Sequence, residues 1–141
     1  MFRTFSVLLV GSALLLSACQ AAVPAEGLGQ EVEVSGGSYT EVSVSEFQSM
    51  LKDKDFTLVN VHIPYEGDIP KTDLSIPYDE IDQNLDQLPA DKNAKIVLYC
   101  RSDRMSTIAS ENLVDLGYTN IYNLDGGMVA WEGAGLDLEF K

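Results

Sequence analysis

The sequence predicts an α/β domain on a largely parallel central sheet flanked by helices, spanning residues 39–141. Three observations predict it. Phe56–Ile63 and Lys95–Tyr99 are near-continuous apolar runs rich in β-branched and aromatic residues, the pattern of strands buried on both faces. Stretches of helical periodicity lie between the strand-like runs, joined by short connections. Each apolar run also ends in a polar or glycine-bearing turn, and in such sheets reactive groups collect at the carboxyl ends of strands.

From Tyr39 the elements follow in order. Val42 and Val44 alternate with polar residues as a short strand, and Ser45-Glu46-Phe47-Gln48 reads as a capping box opening a helix with Phe47, Met50 and Leu51 on its apolar side. Asp53-Lys54-Asp55 is a turn, and Pro64 ends the strand that starts at Phe56. Ser75-Ile76-Pro77 is a brief strand, and Ile81, Leu85 and Leu88 mark a helix stopped by Pro89. After the strand Lys95–Tyr99 comes a five-residue loop. A helix then runs over Ser106–Leu116, with Ile108, Ala109, Leu113 and Leu116 inward and Gly117 at its C′ position. Ile121–Leu124 is the last strand, and Gly126-Gly127 turns into a helix carrying Val129, Ala130 and Trp131.

Composition narrows the function classes. The chain has 141 residues, room for one domain with appendages, and carries 9 Lys and Arg against 22 Asp and Glu, a net charge of −13. That surface repels phosphate backbones, which argues against a nucleic-acid partner, and it offers no polybasic grip on anionic lipid. Any membrane attachment has to come from elsewhere, and residues 1–19 are the candidate for it. Arg3 forms a short positive region, Phe5–Leu16 is apolar apart from Ser6, Gly11 and Ser12, and Leu16-Ser17-Ala18-Cys19 closes the run. The stretch has the length of a signal peptide and falls short of the ~20 residues of a spanning helix. The closing tetrad resembles the bacterial lipobox, which implies cleavage before Cys19, lipid on that cysteine and an extracytoplasmic place in the cell envelope. The alternative is an ordinary secretory signal, against which bulky Leu16 counts at a position that wants a small residue. Residues 19–38, rich in Ala, Pro, Gly and Ser, read as lipidated N-terminus and flexible linker, with Val-Glu-Val as the one strand-like fragment. A coil of that length reaches roughly 25 Å.

Two cysteines are present, and lipidation of Cys19 leaves Cys100 as the single thiol. A lone cysteine in an exported chain flags reactive chemistry, against the plain alternative of an inert buried thiol. With His62 as the one histidine, a Cys/His zinc site lacks ligands. Cys100 follows a buried strand and opens the loop Cys100-Arg101-Ser102-Asp103-Arg104-Met105-Ser106. Backbone N–H groups of such a loop, the following helix N-terminus, Arg101 and Arg104 all favour a thiolate or persulfide anion, which is the nucleophilic form.

At this loop the sequence resembles the rhodanese family, whose active-site loop often reads Cys-Arg-Ser-Gly-x-Arg-Ser. Three further segments match in order. Leu58-Val59-Asn60-Val61-His62 stands for the family's Ile-Asp-Val-Arg strand, and Gly67-Asp68-Ile69-Pro70 for its Gly-His-Ile-Pro turn. Asn123-Leu124-Asp125-Gly126-Gly127-Met128-Val129-Ala130-Trp131 is similar to its closing Gly-Gly-x-x-x-Trp. The resemblance covers residues 40–141 and implies a sulfurtransferase. Cys100 is implied as the catalytic residue and Arg101, Ser102, Asp103, Arg104, Met105 and Ser106 as the substrate-binding loop. A small sulfur-containing anion or persulfide is the implied donor, with no metal or organic cofactor. Asn60 and His62 replace the usual Asp and Arg, so that ion pair is missing. Asp103 stands where Gly is common, and Met105 where Arg often binds an anionic donor. These departures keep open a non-catalytic binding or sulfur-sensing module. His62 is either an accessory acid–base group or a hydrogen-bonded substitute for the family's Arg. A Cys-x5-Arg phosphatase is excluded, because Ser106 lies six positions beyond Cys100. Trp131, Phe47 and Met50 read as core, and Gly126 and Gly127 as turn and close-packing residues.

Overall fold

The computed structural model describes residues 27–141. Six strands form one sheet: β1 (Gln30–Val34), β2 (Gly37–Val42), β3 (Thr57–Asn60), β4 (Leu74–Ser75), β5 (Ile96–Tyr99) and β6 (Ile121–Leu124). Their order across the sheet is β1-β2-β6-β5-β3-β4, and every pairing is parallel except the β1–β2 hairpin. Three helices flank it, α1 (Val44–Lys52), α2 (Arg104–Asp115) and α3 (Gly127–Gly133).

β5 sits inside the sheet, paired with β3 on one side and β6 on the other, which explains its unbroken apolar sequence. Strand alternation sends its residues to two cores. Ile96, Leu98 and Cys100 join Ala109 and Leu113 of α2, whereas Val97 and Tyr99 join Phe47 of α1 and Met128 and Trp131 of α3. Cys100 is therefore delivered to the carboxyl end of the sheet on its α2 face, 2% exposed. Trp131 packs edge-on to Phe47, with ring centroids 5.9 Å apart.

Several expected elements fall differently. The stretch read as linker to Ser38 carries β1 and the start of β2, so the folded unit begins about nine residues earlier than Tyr39. Residues 19–26 of that linker, Cys19 and the signal segment 1–18 lie outside the described residues. The helix cap is Ser43, not Ser45. Its hydroxyl accepts the Glu46 N–H while the Glu46 carboxylate accepts the Ser43 N–H, so Val44 belongs to the helix rather than to a strand. Ile81–Leu88 forms a single 3-10 turn at Ile81–Gln83 followed by further tight turns, not a helix. α2 starts at Arg104, two residues before the predicted Ser106, which puts Arg104 and Met105 in its first turn, and Leu116 is 41% exposed instead of inward.

Candidate active site

The loop after β5 is short because α2 begins so early. Asp103 caps the helix with φ +98°, a left-handed backbone that turns the chain back over Cys100. Its own N–H then points at the thiol, with Asp103 N 3.2 Å from Cys100 Sγ. The Ser106 hydroxyl lies 3.4 Å from the same sulfur and 2.9 Å from the Asp103 carbonyl oxygen. A hydroxyl has one hydrogen, so it serves one of the two at a time.

The carbonyls of the loop are committed elsewhere. Cys100 O accepts from Met128 N–H and Arg101 O from Val129 N–H, each at 2.9 Å. This places the first turn of α3 directly against the loop. Gly127 permits it: a Cβ there would lie 2.2 Å from Cys100 O, and its φ is +52°. With carbonyls directed to α3, the N–H groups of Arg101, Ser102, Arg104 and Met105 keep no backbone acceptor among the described residues. Those four residues, with Cys100 and His62, line one cavity of about 200 Å³. The site therefore offers a sulfur nucleophile, a row of free amide donors and two guanidinium groups, an arrangement suited to holding negative charge on sulfur.

Asp103 does not oppose that charge directly. Its Oδ1 accepts the Gly126 N–H at 2.6 Å, tying the loop to the β6–α3 turn. Burial pushes its carboxyl above the usual range and Asp125 adds to the rise, while the Gly126 N–H counteracts both. Arg104 is exposed at the rim and forms no ion pair among the described residues, whereas Met105 is half-buried against the core.

The opposite wall comes from the segment after β3. His62 Nε2 contacts Glu66 Oε2, and Arg101 Nε lies 3.7 Å from the same oxygen. Asn60 does not face a missing Arg. Its amide donates to Gly67 O and to Asp68 Oδ1, both at 3.0 Å, and its own oxygen accepts the His62 N–H. Asp68, 2% exposed, also accepts from Tyr65 and pairs with Lys141 Nζ at 2.9 Å. Burial pushes the Asp68 carboxyl up, but the hydrogen bonds from Asn60, Lys141 and Tyr65 outweigh it and hold it below the usual range. Glu66 and Asp68 were not singled out from sequence. The helical-style spacing of Glu66 from His62 was the one signal for it. No group of three or more metal-ligating side chains occurs among the described residues.

The sequence model of the rhodanese-like domain matches residues 43–134. The chain belongs to the rhodanese-like domain family. A protein named sulfurtransferase from Allochromatium vinosum is 34% identical over 94 residues, covering 64% of this chain and 85% of its own length. Thiosulfate sulfurtransferase PspE of Escherichia coli is 30% identical over 70 residues, covering 48% and 67%. The crystal structure of a rhodanese-like domain protein from Staphylococcus aureus superposes with a TM-score of 0.58 at 29% identity, over 71% of this chain and 98% of that one. The rhodanese-like domain here also matches tRNA uridine(34) hydroxylases and spans about a third of their length, 32% for that of Hamiltonella defensa.

Proposed function

We propose that this rhodanese-like domain is a sulfurtransferase that carries sulfane sulfur on Cys100. The observation that carries the reading is the buried Cys100 Sγ under the Asp103 N–H, in a cavity lined by loop residues whose N–H groups have no backbone acceptor among the described residues. The Cys100 thiolate attacks the outer sulfur of thiosulfate. The new bond is Cys100 S–S, the broken bond is the donor's S–S, and sulfite leaves with the electron pair. The loop amides hold the resulting persulfide anion, as an oxyanion hole holds developing charge. A nucleophilic acceptor then takes the outer sulfur and restores the thiolate. The named activities of the relatives from Allochromatium and Escherichia support this reading.

The test is thiosulfate:cyanide transfer by the full-length chain, with intact mass as a second readout. Incubation with thiosulfate is expected to add one sulfur atom, and Cys100→Ser should abolish both the added mass and turnover. A chain that turns over with Ser at position 100 overturns the proposal. One observation favours a second reading: half-buried Met105 lines the cavity alongside the two arginines, an apolar contact that suits an uncharged or protein-borne persulfide donor and a sensing or binding role. Sulfur uptake from inorganic polysulfide without uptake from thiosulfate would select it.

Placement in the bacterial envelope is also a proposal, supported by the sequence Leu16-Ser17-Ala18-Cys19. Among the described residues no helix is long and apolar enough to cross a membrane. Expressed in a bacterium, the full-length chain should incorporate palmitate and partition into detergent, and Cys19→Ala should lose both. Equal labelling of that variant removes the lipid anchor.

A further inference from the structure

We infer that His62, oriented by Glu66, is the proton acceptor for a thiol that removes sulfur from Cys100. The inference rests on the sulfur-carrier reading and names the acceptor class. His62 is held at both ends. Its backbone N–H donates to Asn60 Oδ1 at 3.0 Å, and its ring Nε2 meets Glu66 Oε2. The side chain is 9% exposed and lines the same cavity as Cys100. With the carboxylate accepting, Nε2 carries the hydrogen and Nδ1 the lone pair. Nδ1 is buried and has no hydrogen-bond partner among the described residues. A buried polar atom without a partner is costly, and the residue that carries it is one of those lining the cavity beside Cys100.

The charge around the ring fits this role. Glu66 is the carboxylate paired with it among the described residues, Arg101 lies near that same carboxylate oxygen, and Cys100, Ser102, Arg104 and Met105 line the rest of the cavity. The arrangement is a base fixed by a third group beside a reactive sulfur, the general logic of an activated nucleophile. Here the group to activate is the incoming one, since Cys100 is already bonded to the sulfur it gives away. Sulfite dianion attacks with a lone pair and has no proton to lose. A thiol, with an ordinary pKa of about 8.5, arrives protonated at neutral pH and gains its nucleophilicity by losing that proton. A base at the cavity therefore points to a thiol acceptor, and the cavity of about 200 Å³ admits the thiol end of a molecule rather than its body.

The step balances. The acceptor R–SH gives its proton to His62 Nδ1, and its sulfur attacks the outer sulfur of Cys100–S–S⁻. The R–S–S bond forms, the Cys100 S–S bond breaks, and its electron pair stays on Cys100 as thiolate. The product leaves as R–S–S⁻, and His62 passes its proton to solvent.

The experiment separates this half-reaction. The full-length chain is charged with thiosulfate, freed of donor, and mixed with sulfite or with 2-mercaptoethanol while intact mass reports loss of sulfur. The His62→Gln substitution keeps a hydrogen-bonding amide but cannot accept a proton. It should lower the ratio of thiol to sulfite discharge by about a hundredfold, a general-base contribution of ordinary size. Glu66→Gln should lower the ratio less, in the same direction. The loss should disappear with a thiol acidic enough to be ionised at the assay pH, which a merely structural role would not produce. An unchanged ratio in both variants, or the same loss for ionised and protonated thiols, overturns the inference alone. Wild-type chain that takes up no sulfur from thiosulfate or polysulfide overturns the sulfur-carrier reading and this inference with it.

Discussion

The two segments that wall the Cys100 cavity are held by different means. The loop from Cys100 to Asp103 is fixed through its main chain. Its Cys100 and Arg101 carbonyls bond to α3, one amide bonds to the thiol, and the Asp103 carboxylate accepts the Gly126 amide. The segment from His62 to Asp68 is fixed mostly through side chains, by Asn60, Glu66, Tyr65, Tyr99 and Lys141, with one main-chain pair, Asp68 with Glu139, at its end. Where backbone does the holding, side chains such as Arg104 and Met105 are free to vary and can tune what the site accepts. Where side chains do the holding, each is committed to its neighbour, and a change at one leaves another unpartnered.

The largest effect is expected where the main-chain clamp itself is broken. Gly127→Ala puts a methyl within contact of Cys100 O and of Arg101, at a positive φ that L-residues resist. It should cost about 3 kcal/mol in chemical denaturation and end sulfur uptake, because the Met128 and Val129 bonds to the loop cannot both survive. A stable Gly127→Ala chain with normal uptake would break the comparison.

The side-chain network should give a smaller effect with its own pH signature. Asp68→Ala leaves the buried Asn60 amide without one acceptor and should cost about 1–3 kcal/mol at neutral pH. The folded Asp68 carboxyl titrates below its unfolded value of about 3.9, so the unfolded chain binds the extra proton in that window. Its stabilisation is present above that value and is lost as pH falls through the folded one. Denaturation of Asp68→Asn should therefore show a shallower loss of stability below pH ~4 than wild type. An identical acid limb would remove Asp68 from the network's working charge.

The smallest effect is expected at the rim. Arg104 is exposed and forms no ion pair among the described residues, so screening by water limits it. Arg104→Ala should cost about 1 kcal/mol, or roughly fivefold in kcat/KM for thiosulfate, more at low salt. Met105→Arg should lower KM by a similar factor, adding a charge-assisted contact inside the cavity. Kinetics insensitive to both would show that the amides alone select the donor.

The contrast also explains what could be read from sequence. β5 was legible because Ile96–Tyr99 is a local apolar run whose burial on both faces needs no further information, and β6 because Ile121, Tyr122 and Leu124 keep most of that character around Asn123. The β1–β2 hairpin was hidden because Glu31 and Glu33 face water and Ser35-Gly36 form its turn, so the composition is that of a linker. Its strand character comes from pairing alone. At Ile81–Leu88 the apolar spacing imitates a helix, but Asp82, Asn84 and Asp86 prefer local turns. The chain closes i to i−3 bonds such as Gln83 to Glu80 and Leu88 to Leu85. In the site, Cys100 and its loop residues were readable as one segment. Glu66 was not, since its meaning depends on Arg101, 35 positions away.

The bonding of the Cys100 and Arg101 carbonyls to α3 has a consequence for the timing of the chemistry. On the proposed reading, negative charge moves outward by about one S–S bond length, roughly 2 Å, when the thiolate becomes a persulfide. In water, each such shift would require dipoles to swing round and follow it. Here the orienting is completed when α3 docks during folding, and the peptide dipoles cannot reverse without breaking the Met128 and Val129 bonds. The electric field along the cavity is thus the same for the empty and the loaded sulfur, and reorganisation of the surroundings contributes little to either barrier.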